Sequence, residues 1–402
     1  MARLRWSRGV DAGARGCDAR AMKRMSGANR VETEGWRPAT RAVRGGTMRS
    51  EFGETSEAIF LTSGYCYDDA ETVAARFRGD EKGMTYSRLQ NPTVAMFEER
   101  LRLIEGAEAC RAMASGMAAM TAALMSQLRA GDHVVAGRAL FGSCRFIVED
   151  LAPRFGVECT LVDGNDLDQW RKAMRPNTKT AFIETPTNPQ LDVLDIRAIA
   201  DIVHAGGATL VVDNVFATAL LQSPLQLGAD CVVYSATKHV DGQGRCLAGC
   251  VLGSEKFIQD KVHNFLRQTG PALSAFNAWI MVKSLETMPL RVNQQVANAM
   301  QVADFLAEQK AVKRVLYPFR KDHPQYELAK RQMKGGGQVV VFDLEDKAAA
   351  FRFGNALDIV KISNNLGDAK SILTHPATTT HQRIPMAARI EMGISEGMLR
   401  FS

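Results

Sequence analysis

No stretch of the 402-residue chain approaches the roughly 18 consecutive apolar residues that a membrane-spanning helix requires. No secretory apolar core follows Met1 either, so a cytoplasmic protein is expected. The eight cysteines (Cys17, Cys66, Cys110, Cys144, Cys159, Cys231, Cys246 and Cys250) form no CxxC pair and are scattered through apolar segments. That argues against a disulfide framework and for reduced, mostly buried thiols. The seven histidines make no HExxH and no His/Cys cluster, so no metal is expected. What remains is ordinary: 46% apolar and 23% charged residues, in a chain long enough for two domains and a large core.

The net charge of +6 is the one unusual bulk property, and its location disposes of it. Residues 1–30 hold seven Arg and one Lys against Asp11 and Asp18, which accounts for all of the excess. The remaining body is neutral and offers no support for nucleic-acid binding. The tail to about Arg37 lacks helical or strand periodicity and is expected to be disordered. It is Arg-rich and acid-poor, as organelle transit peptides are. The other reading is a start assigned too early, with Met22 or Met25 as the true first residue.

From His133 onward short apolar runs alternate with helical segments. His133-Val134-Val135-Ala136, Cys159-Thr160-Leu161-Val162, Thr180-Ala181-Phe182-Ile183, Thr209-Leu210-Val211-Val212 and Cys231-Val232-Val233-Tyr234 read as strands. A helix from Ile196 to His204, with Ile196, Ile199 and Val203 on one face, stops at Gly206-Gly207. Upstream, Asn91-Pro92 opens a helix whose stripe is Val94, Phe97, Leu101 and Ile104. Glu51–Tyr67 reads as an extended arm. The alternation predicts an α/β fold, a mostly parallel sheet covered by helices, with active groups beyond the strand carboxyl ends. After Gly253 long helices follow, including about Gln294–Glu308. Then Gly335-Gly336-Gly337 introduces a strand, Gln338–Leu344, of a smaller α+β domain.

Two strand ends carry chemistry. Lys238 follows the strand ending at Tyr234, with Ser235 and Thr237 supplying hydroxyls just before it; Asp213 ends the preceding strand. Lysine forms Schiff bases when positioned and partly neutral. A pyridoxal-phosphate site needs such a lysine and an acid that keeps the pyridine nitrogen protonated. The helix opening at Ser115-Gly116-Met117 offers backbone amides to a phosphate.

Ser235-Ala236-Thr237-Lys238-His239, with Asp213 and the Pro186-Thr187-Asn188-Pro189 turn, resembles the Cys/Met-metabolism pyridoxal-phosphate enzymes. Within that family, Asp241-Gly242-Gln243-Gly244-Arg245 is most similar to the O-succinylhomoserine sulfhydrylase branch. The resemblance runs from about Thr40 to Ser402, which favours the later start over the transit peptide. It implies a fold-type-I pyridoxal-phosphate-dependent transferase. The expected divisions are a basic disordered extension (1–39), an N-terminal arm (40–75), a cofactor-binding large domain (76–275) and a C-terminal small domain (276–402).

The resemblance also implies roles. Lys238 is the catalytic residue and carries the cofactor. Ser115, Gly116, Met117, Ser235 and Thr237 hold its phosphate, and Tyr86 and Arg88 reach across a subunit interface to the neighbour's phosphate. Asn188 bonds the ring hydroxyl oxygen, Asp213 faces the ring nitrogen, and Phe141 stacks on the ring. Arg400 grips the substrate α-carboxylate, and Asn365 contributes to substrate binding. A homo-oligomer, expected to be a tetramer, follows from the shared site. Much of the family has Tyr where this chain has Phe141; Phe stacks but cannot move a proton. That departure favours expulsion of a carboxylate, as from an acylated homoserine, over expulsion of a poorer thiolate. Family members continue past the residue equivalent to Arg400 with a strand end and a helix, so the sequence is expected to be truncated after Ser402; were that end real, the Arg400 strand would lose its support.

The expected reaction is γ-replacement, converting O-succinyl-L-homoserine and sulfide to L-homocysteine and succinate. The alternatives are cystathionine γ-synthase, methionine or cystathionine γ-lyase, and a cofactor-binding homologue without turnover.

Overall fold

The computed structural model describes residues 35–402. The basic tail to residue 34 therefore lies outside the described residues. Pro38 and Ala39, placed in that extension on sequence grounds, instead begin helix α1 (Pro38–Arg44), with proline at a first-turn position where its missing N–H costs nothing. From there to α2 (Ala70–Arg78) the chain is irregular.

Helix α3 (Pro92–Glu105) starts as the sequence dictates. Asn91 accepts from the amides of Thr93 and Val94, and Gly106 ends the helix at φ 81°, a conformation that glycine adopts without strain. The central sheet comprises β1 (Ala109–Met113), β2 (His133–Gly137), β3 (Glu158–Val162), β4 (Thr178–Glu184), β5 (Thr209–Asp213), β6 (Cys231–Ser235) and β7 (Gly249–Gly253), in the order β1-β7-β6-β5-β4-β2-β3. The five strands from β6 to β3 are parallel. β7 runs antiparallel between β6 and β1.

Neither β1 nor β7 was expected from the sequence. The linker 236–248 contains no helix, so the chain returns beside β6 in the opposite sense rather than crossing over to a parallel position. Each parallel strand splits its side chains between two cores. Val134, Phe182, Val211 and Val233 pack on one side with α4 (Gly116–Met125). Val135, Ile183, Val212 and Val232 pack on the other with α5 (Ile196–Ala205). Burial on both faces explains the near-continuous apolar runs.

Helix α6 (Ala275–Ala307) is more than twice as long as the segment expected to begin near Gln294, because Pro289 lies inside it and interrupts the sequence pattern. Its first half buries Met281, Val282, Leu285 and Met288 in the core of the large sheet. Its second half buries Ala299, Ala303 and Leu306 under a second sheet. That sheet has β8 (Arg314–Leu316), β9 (Val340–Asp343), β10 (Lys361–Ile362), β11 (Ile372–Thr374) and β12 (Met398–Phe401), in the order β10-β11-β12-β9-β8. β12 is central and pairs with both β11 and β9, so the strand carrying Arg400 is supported on both sides. No helix among the described residues is long and apolar enough to cross a membrane.

Candidate active site

The carboxyl ends of β4, β5 and β6 meet the start of α4 and the edge of the second sheet. Ser115 caps α4 by accepting from the amide of Ala118. The amides of Gly116 and Met117, the first two helical residues, have no intrahelical acceptor. A Cβ on Gly116 would lie 2.6 Å from Ser235 Oγ, so only glycine lets the helix start press onto β6. Among the described residues Ser235 Oγ makes no hydrogen bond, and it lies against the start of α4 at Gly116. Thr237 differs: its hydroxyl donates to the carbonyl of Ala248 (3.2 Å) and accepts from the Ala248 amide (3.1 Å). It braces the turn in this arrangement.

Lys238 follows directly. Its Nζ donates to Asn365 Oδ1 at 2.5 Å, joining the large sheet to the loop before β11. Burial, with a further contribution from Arg400, lowers the Lys238 amine to about 8. A useful fraction is then neutral and nucleophilic near physiological pH. One strand away lies Asp213, whose carboxylate accepts one bond, from the Val215 amide at 3.0 Å, and has no cationic partner among the described residues. Burial raises its carboxyl to about 7.

Arg400 is 1% exposed and forms no ion pair among the described residues, although the Glu184 carboxyl lies near enough to act on it electrostatically. Its guanidinium donates to Asn188 Oδ1 and to the carbonyls of Asn364 and Asn365, each at 3.0 Å. Its Nε is buried without any acceptor. Burial lowers it to about 10. Asn365 therefore touches both the reactive amine, through its side chain, and Arg400, through its carbonyl.

Sequence reading missed Glu184, the last residue of β4, paired in register with Asp213. The available signal was the one that marked Asp213: an acid ending an apolar strand. Glu184 accepts from the Phe141 amide (2.7 Å) and the Asn188 amide (2.8 Å). His381 was missed too; its Nε2 pairs with the Asn188 carbonyl at 3.2 Å. Among the described residues neither Tyr86 nor Arg88 bonds to this cluster, and Arg88 donates to the carbonyl of Arg267. Tyr86 is 43% exposed, with the Arg88 guanidinium 5.5 Å from its ring centre. A cavity of about 490 Å³ lies at the opposite edge of the sheet, lined by Glu108, Thr209, Asp230 and Lys256, away from these groups. No cluster of potential metal ligands occurs among the described residues.

Residues 39–402 match the model of the family described as Cys/Met metabolism PLP-dependent enzyme. The chain belongs to that family. It is 51% identical over 374 residues to an O-succinylhomoserine sulfhydrylase of Mycobacterium tuberculosis, covering 92% of each chain. It is 46% identical over 362 residues to the O-succinylhomoserine sulfhydrylase of Pseudomonas aeruginosa, covering 90% of each. A Campylobacter jejuni structure described as an O-acetylhomoserine (thiol)-lyase, with a pyridoxyl-lysine monophosphate, superimposes with a TM-score of 0.88 at 29% identity, over 91% of this chain and 96% of that one.

As a member of this family the chain is pyridoxal-phosphate-dependent, and its residues fit that group. Free amides and an unpartnered hydroxyl at the start of α4 suit a phosphate dianion. The buried, uncompensated Asp213 suits a protonated ring nitrogen. Arg400, with an orphaned Nε, has a donor left for a carboxylate.

Proposed function

We propose that this chain replaces the succinyl ester of O-succinyl-L-homoserine with sulfide, yielding L-homocysteine and succinate. The observation that carries this reading is a partly neutral Lys238 and a buried Arg400, without an ion pair among the described residues, bridged by the single residue Asn365. That arrangement suits an α-amino acid, with an amine-exchanging lysine on one side and a carboxylate fork on the other. The choice of reaction within the family follows the relatives that are 46–51% identical.

Bound pyridoxal phosphate would supply an electron sink conjugated to the substrate Cα. Ser115, Gly116, Met117 and Ser235 would hold its phosphate, with Thr237 bracing the turn. Asp213 would keep the ring nitrogen protonated, Asn188 would donate to the ring hydroxyl oxygen, and Phe141 would cover one face. Arg400 binds the α-carboxylate and fixes which Cα–H bond points at Lys238. Lys238 Nζ takes that proton and then one from Cβ, so that the succinate carboxylate leaves Cγ, and it returns a proton to Cβ and one to Cα once hydrosulfide has added at Cγ. Because Phe141 cannot donate a proton, the proton inventory rests on Lys238, which suffices for a carboxylate leaving group. Tyr86 and Arg88, exposed and not bonded to the Lys238 cluster, are assigned to a neighbour's phosphate in a homo-oligomer.

The test is product identity. With O-succinylhomoserine, sulfide and cysteine are supplied at equal concentrations in separate reactions. Homocysteine from sulfide in excess over cystathionine from cysteine supports the assignment. Dominant cystathionine, or ammonia and a 2-oxo acid without any added nucleophile, contradicts it.

A further inference from the structure

Glu184 takes no part in the steps above, yet it sits among the residues that do. It is 4% exposed at the end of β4, between β5, which carries Asp213, and β2, which leads to Phe141. Its two carboxylate oxygens are divided between two loops, Oε2 accepting from the Phe141 amide and Oε1 from the Asn188 amide. Asn188 is held at two further points: Oδ1 by Arg400 and its carbonyl by His381. With Oδ1 occupied by a donor, the Asn188 Nδ2 is the end left to donate. The side chain of one buried acid thus sets where the aromatic cover and the amide donor sit relative to Asp213.

We propose that Glu184 is a positioning residue that fixes Phe141 and Asn188 around the cofactor ring through their backbone amides, and through Asn188 sets the proton affinity of the cofactor's lysine linkage. The inference rests on the proposed use of this site for pyridoxal phosphate. The charged and titratable groups that face Glu184 are Asp213 from β5, Arg400 from β12 and the thiol of Cys144 from the helix after Phe141. Burial, and after it Asp213, raise the Glu184 carboxyl well above the usual range, while the two amide bonds and Arg400 oppose that rise. Two amides donating to two different oxygens make the site a clamp that glutamine fills but does not reproduce, since its –NH₂ faces an N–H.

The experiment uses the reconstituted full chain and its Glu184→Gln and Glu184→Ala variants. The readouts are the pH midpoint of the visible cofactor band, kcat and KM for O-succinylhomoserine, and the melting temperature. Loss of the Asn188 donor should move the band midpoint upward by about one pH unit in both variants, because a misplaced amide no longer favours the deprotonated linkage. KM should rise about tenfold, the cost of a disturbed charge-assisted contact at Arg400. A downward midpoint shift would mean that Glu184 acts by its charge alone, and overturns the proposal. An unchanged midpoint and KM with a lowered melting temperature would reduce Glu184 to a packing residue, and overturns it too. If the wild type shows no band with added pyridoxal phosphate, the cofactor assignment falls and the inference falls with it. A normal wild-type band with unresponsive variants removes the inference alone.

Discussion

Two arginines in this molecule are equally hidden and oppositely provided for. Arg100, 0% exposed in α3, donates to Glu57 Oε1 at 2.5 Å, to the carbonyls of Gly45 and Val282, and to Thr47 Oγ1. Lys283 adds a second ion pair to Glu57 at 3.2 Å. Every arm of that guanidinium is used, and the cluster ties the N-terminal arm to α6. Arg400, 1% exposed in β12, donates only to neutral oxygens among the described residues and leaves Nε unpaired, with Glu184 near but not bonded to it. A buried charge is tolerated when it is paired. The incomplete one marks where a ligand of opposite charge belongs, and the complete one marks a structural joint.

The sharpest way to break the comparison is to exchange the consequences. Lys238→Ala comes first, because it removes the nucleophile itself. Turnover should fall by at least about a thousandfold and the visible band should vanish, as read by steady-state assay and absorbance. Arg400→Ala follows. KM for O-succinylhomoserine should rise roughly a hundredfold, about 3 kcal/mol of lost charge-assisted binding, with no drop in melting temperature. Arg100→Ala should do the reverse, costing about 3–5 kcal/mol of stability in denaturant titration while KM of the folded fraction stays unchanged. If both variants lose stability alike, the distinction between the two arginines is wrong.

Acid sharpens it further. Burial pushes Glu57 up, but the Arg100 hydrogen bond and charge outweigh it and hold the carboxyl at about 2. Its contribution to stability is therefore complete above the ordinary value of 4.5 and is lost as pH falls from there towards 2. Arg100→Ala should remove that part of the acid-denaturation curve. Asp213 runs the other way. With its carboxyl raised to about 7, the folded cofactor-free protein binds more protons than the unfolded chain between the ordinary 3.8 and 7, so stability declines as pH rises through that window. Asp213→Asn should flatten the decline in the cofactor-free protein, a smaller effect visible in melting temperature against pH.

Much of the site is written locally. Lys238 and Asp213 stand at the ends of apolar runs, and parallel β5 and β6 bring such ends to one edge. Asn91 and Gly106 bracket α3 by short-range capping alone. What escaped is non-local or masked. Asn365 meets Lys238 across 127 residues of chain, a contact fixed by how β11 and β12 pack and not by any nearby pattern. β7 carries glycine at both ends and lies close to the Lys238 turn, so it reads as loop, and Pro289 hid the first half of α6. Glu184 carries the same strand-end signature as Asp213, but an acid before Thr185-Pro186 reads as the start of a turn. Its meaning lies in the two amides that the fold brings to it.

The most direct measurement is the absorbance spectrum of the cofactor-loaded protein as O-succinylhomoserine is added, first alone and then with sulfide. The account predicts a visible band that shifts on substrate addition, and homocysteine with stoichiometric succinate only when sulfide is present. A band indifferent to the substrate, or no band after reconstitution with pyridoxal phosphate, would contradict it.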